Sequence, residues 1–89
     1  MDHDITDIQI IPINPKDGLV AFASFTLNQS FYLSSIGIHA KLDGSGYRLT
    51  YPTKKIGNTS INLFHPITKE LSKAIEEAIL RHFQKLQSK

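Results

Sequence analysis

A helical period near the C-terminus constrains the fold more than any other feature of this 89-residue chain. Between residues 71 and 86, apolar side chains recur mostly at steps of three and four, the spacing of one helical face. They are Leu71, Ile75, Ala78, Ile79, Phe83 and Leu86. Thr68 is a suitable N-cap, and Pro66 disfavours a helix before that point. The pattern predicts one amphipathic C-terminal helix.

The chain before this helix has the composition of β-strands separated by turns. Strands rich in β-branched and aromatic residues are predicted over residues 4–13, 19–27, 31–42 and 47–51, with a short one over 61–64. Pro12 cannot donate to a β-ladder, so the first strand should end at an edge or leave the sheet. The order predicts an α+β fold, a small antiparallel sheet of four to five strands with one C-terminal α-helix. We expect residues 1–89 to form a single domain.

Residues 19–23 are uninterruptedly apolar, although neighbouring strand residues point to opposite faces of a sheet. One helix covers one face only, so either a curled sheet or a second copy of the chain must cover the other. We favour the second copy, because a core built from so few residues is small and symmetric dimers are the commonest oligomers. The expected oligomer is therefore a homodimer.

Several classes of site are disfavoured by composition. The chain contains no Cys, which excludes disulfides and thiolate metal sites. Its four His residues lack metal-ligand spacing, so we expect no metal site. Gly-x-Ser-x-Gly is absent, and residues 44–46 lack the remainder of a phosphate loop. We expect no enzymatic activity and no small-molecule substrate.

The N-terminal residues are acidic and polar, unlike a secretory signal. The longest apolar stretch is too short to span a bilayer. We therefore expect a cytoplasmic protein without a membrane partner.

Charge is unevenly distributed along the chain. Residues 1–40 carry a net charge of −3 and residues 41–89 a net charge of +5, within a total of +2. A basic half of this kind can serve a polyanionic partner, although small domains often have uneven charge without any such role.

The most suggestive basic residues are Lys54 and Lys55, in a polar, glycine-containing segment over residues 52–60 that is expected to be an exposed loop. Lysines in a mobile loop can contact phosphates. The alternative is an ordinary solvated loop.

Lys73, Arg81 and Lys85 on the outer helix face, and Arg48 on the fourth strand, are candidate secondary contacts. Acidic residues interrupt the helical set, so an ordinary mixed surface is the competing interpretation. Tyr47 and Tyr51 could stack on an unpaired base, or pack in the core or an interface.

The ordered series of these segments resembles the SpoVG (stage V sporulation protein G, septation protein) family over about residues 4–87. The segments that carry the resemblance are Ile5-Thr6-Asp7-Ile8, the hairpin of Ala23-Ser24-Phe25-Thr26-Leu27 with Phe31, Leu33, Ile36 and Ile38, then Pro52-Thr53-Lys54-Lys55, and His65-Pro66-Ile67 entering the helix. The resemblance implies an antiparallel sheet, a C-terminal helix, a homodimer and a bacterial regulator of septation or gene expression that binds DNA and RNA. It brings no catalytic residue and no cofactor.

The sequence departs from the family pattern at four positions. Gln9, Gly37 and Ile61 stand where members often carry Arg, and Asn62 stands where an acidic residue is usual. Lost positive charges should weaken phosphate binding. Two hypotheses follow: a nucleic-acid-binding regulator, or a protein-interaction or structural dimer module that kept the fold without tight nucleic-acid binding.

Overall fold

The computed structural model describes residues 3–87 and contains six strands followed by one helix. The elements are β1 (Ile5–Lys16), β2 (Leu19–Leu27), β3 (Phe31–Ala40), β4 (Tyr47–Thr50), β5 (Thr53–Ile56), β6 (Thr59–Asn62) and α1 (Lys69–Gln87). The predicted α+β fold is confirmed.

The first four strands form an antiparallel sheet in the order β1-β2-β3-β4. β1 is an edge strand, which confirms the expected position of Pro12. It continues to Lys16, beyond the predicted end at residue 13. Asp7 and Ser35 have positive φ angles and lie at register shifts between paired strands. These irregularities are β-bulges, where an extra residue accommodates the local bend of a strand.

The helix begins and packs as its sequence predicts. The Leu71 backbone N–H donates to Thr68 Oγ1 at 3.2 Å, so Thr68 is the N-cap. Ile75, Ile79 and Phe83 are buried against one face of the main sheet, here called the inner face. The buried sheet residues of this core are Ala21, Ala23, Phe25, Ile36 and Ile38. Leu86, which the helical period also placed on this face, is exposed.

The opposite face of the main sheet, here called the outer face, is not covered by the helix. Ile11 and Phe22 are paired on it, and both line a shallow cavity of about 260 Å³ together with Tyr32. Their side chains are 63%, 38% and 69% exposed, respectively. The apolar segment 19–23 therefore contributes to both faces, as the sequence predicts, and one copy of the chain leaves the outer face open.

The prediction of an exposed loop over residues 52–60 is wrong about the backbone conformation, because most of this segment is β-strand. β5 and β6 pair into a hairpin around the two-residue turn Gly57-Asn58, and the short strand expected at 61–64 is instead β6. Gly57 has a φ of 62°, a conformation that glycine adopts without steric cost. The prediction of exposure holds, because every residue of both strands is exposed.

Candidate nucleic-acid interface

The β5–β6 hairpin is a sheet of its own within residues 3–87. The base of the hairpin lies against the main body. The Leu63 backbone N–H donates to the Pro52 carbonyl at 2.9 Å, which continues the pairing of the two strands to this base. Next to it, the rings of Tyr51 and Phe64 meet edge to face with centroids 6.1 Å apart, and both pack against the core. Beyond that base the hairpin projects into solvent, so its side chains are available to a partner.

Strand pairing divides the hairpin into two chemically different faces. The register pairs Lys54 with Ile61 and Lys55 with Ser60. Since successive strand residues point to opposite sides, the two lysines lie on opposite faces. The Lys54 face consists of Lys54, Ile56, Thr59 and Ile61, and the Lys55 face consists of Thr53, Lys55, Ser60 and Asn62. Lys54 and Lys55 are adjacent in the sequence and are predicted as one basic pair, but the strand geometry places them on separate faces.

The hairpin lies in the least acidic part of the chain. No Asp or Glu occurs between Asp43 and Glu70, whereas that interval contains four cationic residues. They are Arg48, Lys54, Lys55 and Lys69. The charge of the hairpin is thus not offset by any acidic residue of its own segment, which suits an anionic partner.

Arg48 lies in a different electrostatic setting. It is exposed on β4, paired with His39, and lines a cavity of about 440 Å³. Asp17 and Asp43 line the same cavity. Hydrogen bonds from Ser45 hold the pKa of the Asp43 carboxyl below its ordinary value, so this carboxylate is charged at neutral pH. The carboxylates offset the positive charge around Arg48, which makes it a weaker candidate for phosphate contact than the hairpin lysines.

The predicted helix residues do not form one basic stripe. Lys73, Arg81 and Lys85 are all exposed. Lys73 lines a surface cavity with Lys69 and Glu76, whereas Arg81 lines one with Asp4 and Glu77, near the start of β1. Of the six predicted basic residues, only Lys54 and Lys55 lie together on an element that contains no Asp or Glu.

Tyr47 and Tyr51 are packed in the fold rather than offered for base stacking. Tyr47 lies edge to face with Phe83, with ring centroids 5.0 Å apart, and its hydroxyl accepts a hydrogen bond from Gln87 Nε2 at 3.1 Å. Burial, together with the charge of Glu76, raises the pKa of Tyr51 to about 12. The competing interpretation of these tyrosines, packing in the core, is confirmed.

Two further observations concern a metal or small-molecule site in the described residues. Among residues 3–87, no three His, Asp or Glu side chains are grouped so that they could hold a metal ion. A cavity of about 180 Å³ between the sheet and the start of α1 is lined mainly by apolar side chains, with Tyr51 and His65. His65 Nδ1 forms a hydrogen bond with the Pro66 carbonyl at 3.2 Å, so this ring helps to order the entry to the helix.

Comparison with known proteins identifies the family of the chain. The family model described as SpoVG matches residues 3–85. The chain belongs to the SpoVG family. Three relatives share the name "Putative septation protein SpoVG".

These relatives are similar to the chain along most of its length. The protein of Treponema denticola is 27% identical, and the alignment covers 92% of this chain and 87% of the relative. That of Oceanobacillus iheyensis is 30% identical, with 92% and 84% covered. That of Geobacillus thermodenitrificans is 28% identical, with 93% and 85% covered.

The positions at which this SpoVG family member departs from the expected pattern lie in different parts of the structure. Gln9 is exposed on the outer face, and Ile61 lies opposite Lys54 on the hairpin. Gly37 is buried in β3, where an added Cβ would lie 2.6 Å from Thr50 Oγ1. A larger side chain at position 37 would require Thr50 to move, so this glycine fits its neighbours.

Within residues 3–87, no helix is long and apolar enough to cross a membrane.

Proposed function

We propose that this SpoVG family member is a nucleic-acid-binding regulatory protein without enzymatic activity, which acts in the cytoplasm as a homodimer. The names of its relatives connect them with septation, and we propose a role in septation or gene expression for this chain too. The main observation in support is the projecting hairpin, which presents two lysines in a segment without acidic residues.

The hairpin supports electrostatic docking on phosphates. Lysine side chains on an exposed ribbon can approach a phosphate backbone without first breaking contacts in the folded protein. The hydroxyls of Thr53 and Ser60 add neutral donors beside Lys55. A dimer would carry two hairpins and double this basic surface.

The dimer is supported by the open outer face. Ile11, Phe22 and Tyr32 leave apolar surface in contact with water, and a second copy would cover it. Sedimentation at micromolar concentration should show a dimer, and a monomer would contradict this part of the proposal.

The same face favours a second candidate function, a protein-interaction or structural module that kept the fold without tight nucleic-acid binding. Exposed aromatic side chains are common in protein interfaces. This alternative predicts either no nucleic-acid binding or binding that does not depend on the hairpin lysines.

A salt titration of the double variant Lys54→Ala/Lys55→Ala separates the two functions. Each lysine that neutralises one phosphate of duplex DNA contributes ~0.9 to the slope of log affinity against log salt. In a dimer the slope should fall by up to ~3–4 if all four lysines contact phosphate. The matched control is Lys73→Ala/Lys85→Ala, which removes the same charge from the helix. An unchanged slope in the folded hairpin variant, or no binding by the wild type at low salt, would contradict the proposed function.

A further inference from the structure

We propose that the β5–β6 hairpin is a β-ribbon that enters the major groove of duplex DNA, with the Lys55 face directed toward the bases. This inference rests on the proposed function. The proposed function requires only that the hairpin contacts phosphates of a nucleic acid, whereas the inference specifies contact with the base edges of duplex DNA. The structure contributes the shape, the exposure and the two-faced chemistry of the hairpin.

The dimensions of the hairpin suit that groove. The major groove of B-DNA is ~12 Å wide and ~8.5 Å deep and admits a two-stranded β-ribbon. Paired strands lie ~4.8 Å apart, and the four residues of each strand span ~13 Å at ~3.4 Å per residue. The turn Gly57-Asn58 has no bulky side chain at its tip, so the ribbon can reach the groove floor.

The Lys55 face carries groups that can distinguish bases. Lysine donates to the O6 and N7 acceptors of guanine, whereas an asparagine amide can both donate to N7 and accept from N6 of adenine. Lys55 and Asn62 lie on this face, on the two different strands of the ribbon. Thr53 and Ser60 complete it with hydroxyls that can donate or accept. Each of its four side chains is therefore polar and exposed.

The Lys54 face is chemically unsuited to the groove floor. Ile56 and Ile61 are 56% and 46% exposed and offer no hydrogen bonds to base edges. With this face turned away from the bases, Lys54 points out of the groove, where its long side chain can reach only the flanking phosphates. The two lysines thus have different roles: Lys54 contributes affinity for any sequence, and Lys55 contributes discrimination between bases.

The groove geometry also selects the kind of nucleic acid. The major groove of an A-form RNA duplex is deep and too narrow for side chains to read. A ribbon reader should therefore bind duplex DNA better than duplex RNA of the same sequence. Phosphate docking alone, as in the proposed function, requires no such preference.

The test measures the affinity of three single variants for two short DNA duplexes, one built from mixed G·C pairs and one from mixed A·T pairs, at one fixed salt concentration. Lys55→Ala should weaken binding to the G·C duplex by ~10-fold more than to the A·T duplex, the order of magnitude of one base contact. Asn62→Ala should show the opposite bias. Lys54→Ala, the matched control in charge and position, should weaken both duplexes by the same factor. Wild-type unfolding curves for all three variants establish that each is folded.

The outcomes separate this inference from the proposed function. If Lys55→Ala and Asn62→Ala each weaken both duplexes equally, or if duplex RNA binds as tightly as duplex DNA, the ribbon inference is overturned and phosphate docking by the hairpin remains. If the wild type binds none of the probes, both are overturned. Opposite base biases for Lys55→Ala and Asn62→Ala, with a preference for duplex DNA, would establish the ribbon.

Discussion

The main body, which is the four-stranded sheet with its helix, and the β5–β6 hairpin are stabilised in different ways. The main body encloses a core in which Phe25, Ile36, Ile38 and Ile79 have no exposed surface, so hydrophobic burial stabilises it. The hairpin buries none of its eight strand residues and keeps its shape through backbone pairing, and its base is held by the packed rings of Tyr51 and Phe64. An isolated hairpin is at best marginally stable in water, so the hairpin depends on the main body for its position.

The contrast explains why substitutions in the two regions should have different consequences. Changes in the main body should lower the stability of the whole domain. Changes on the hairpin should leave stability nearly intact and alter what the protein binds.

Phe83→Ala should lower the free energy of unfolding by about 3–5 kcal/mol, because it removes a large buried ring from the helix and its edge-to-face contact with Tyr47. Leu86→Ala on the same helix is the matched control. Leu86 is 39% exposed, so its truncation should cost much less. Urea unfolding monitored by circular dichroism measures both. If both variants lost the same free energy of unfolding, Leu86 would be as much a part of the core as Phe83, which would contradict the structure.

Gly37→Ala should destabilise the main body by about 1–3 kcal/mol through overpacking. The added Cβ would lie 2.6 Å from Thr50 Oγ1, which forms a hydrogen bond with His39 Nε2 at 3.0 Å. Thr50→Ala removes the obstructing oxygen. The double variant should therefore lose less free energy of unfolding than the sum of the losses of the two single variants. A double-mutant cycle measures this coupling. Strict additivity would indicate that the two sites do not contact each other.

Tyr51 lies where the main body meets the hairpin and should give stability a specific dependence on alkaline pH. Its pKa is raised from the ordinary value of 10.0 to about 12. Between these values the unfolded chain loses the phenolic proton and the folded protein keeps it, so stability falls as pH rises through that window.

Tyr51→Phe is the control for this effect, because it keeps the ring against Phe64 and removes the titrating hydroxyl. Its stability should fall less steeply over the same pH interval, measured by urea unfolding. If the stability of the variant and of the wild type fell equally with pH, the Tyr51 hydroxyl would not be the group responsible.

Much of the main body could be predicted from the sequence because its signals are local. The helical period at Ile75, Ile79 and Phe83 and the N-cap at Thr68 each identify one structural feature directly. The bulges at Asp7 and Ser35 left no comparable signal, since they arise from the register between strands.

The sequence predicts a loop where the hairpin lies, although a signal for the hairpin exists. Gly57-Asn58 separates two four-residue segments, a spacing typical of a two-residue hairpin turn. Its polar composition resembles a loop because neither face is buried, so the apolar alternation that marks most strands is absent. The two-faced arrangement of Lys54 and Lys55 follows only once the segment is recognised as a strand.

The central claim is that the hairpin, and not the main body, binds nucleic acid. The most direct test is an NMR titration of the labelled protein with a short DNA duplex at low salt, following each backbone amide. We expect the largest shifts at Thr53, Lys55, Ser60 and Asn62, with little change at the buried helix residues Ile75 and Ile79. Shifts centred on the outer face around Phe22 and Tyr32, or on the helix around Lys73 and Arg81, would contradict it.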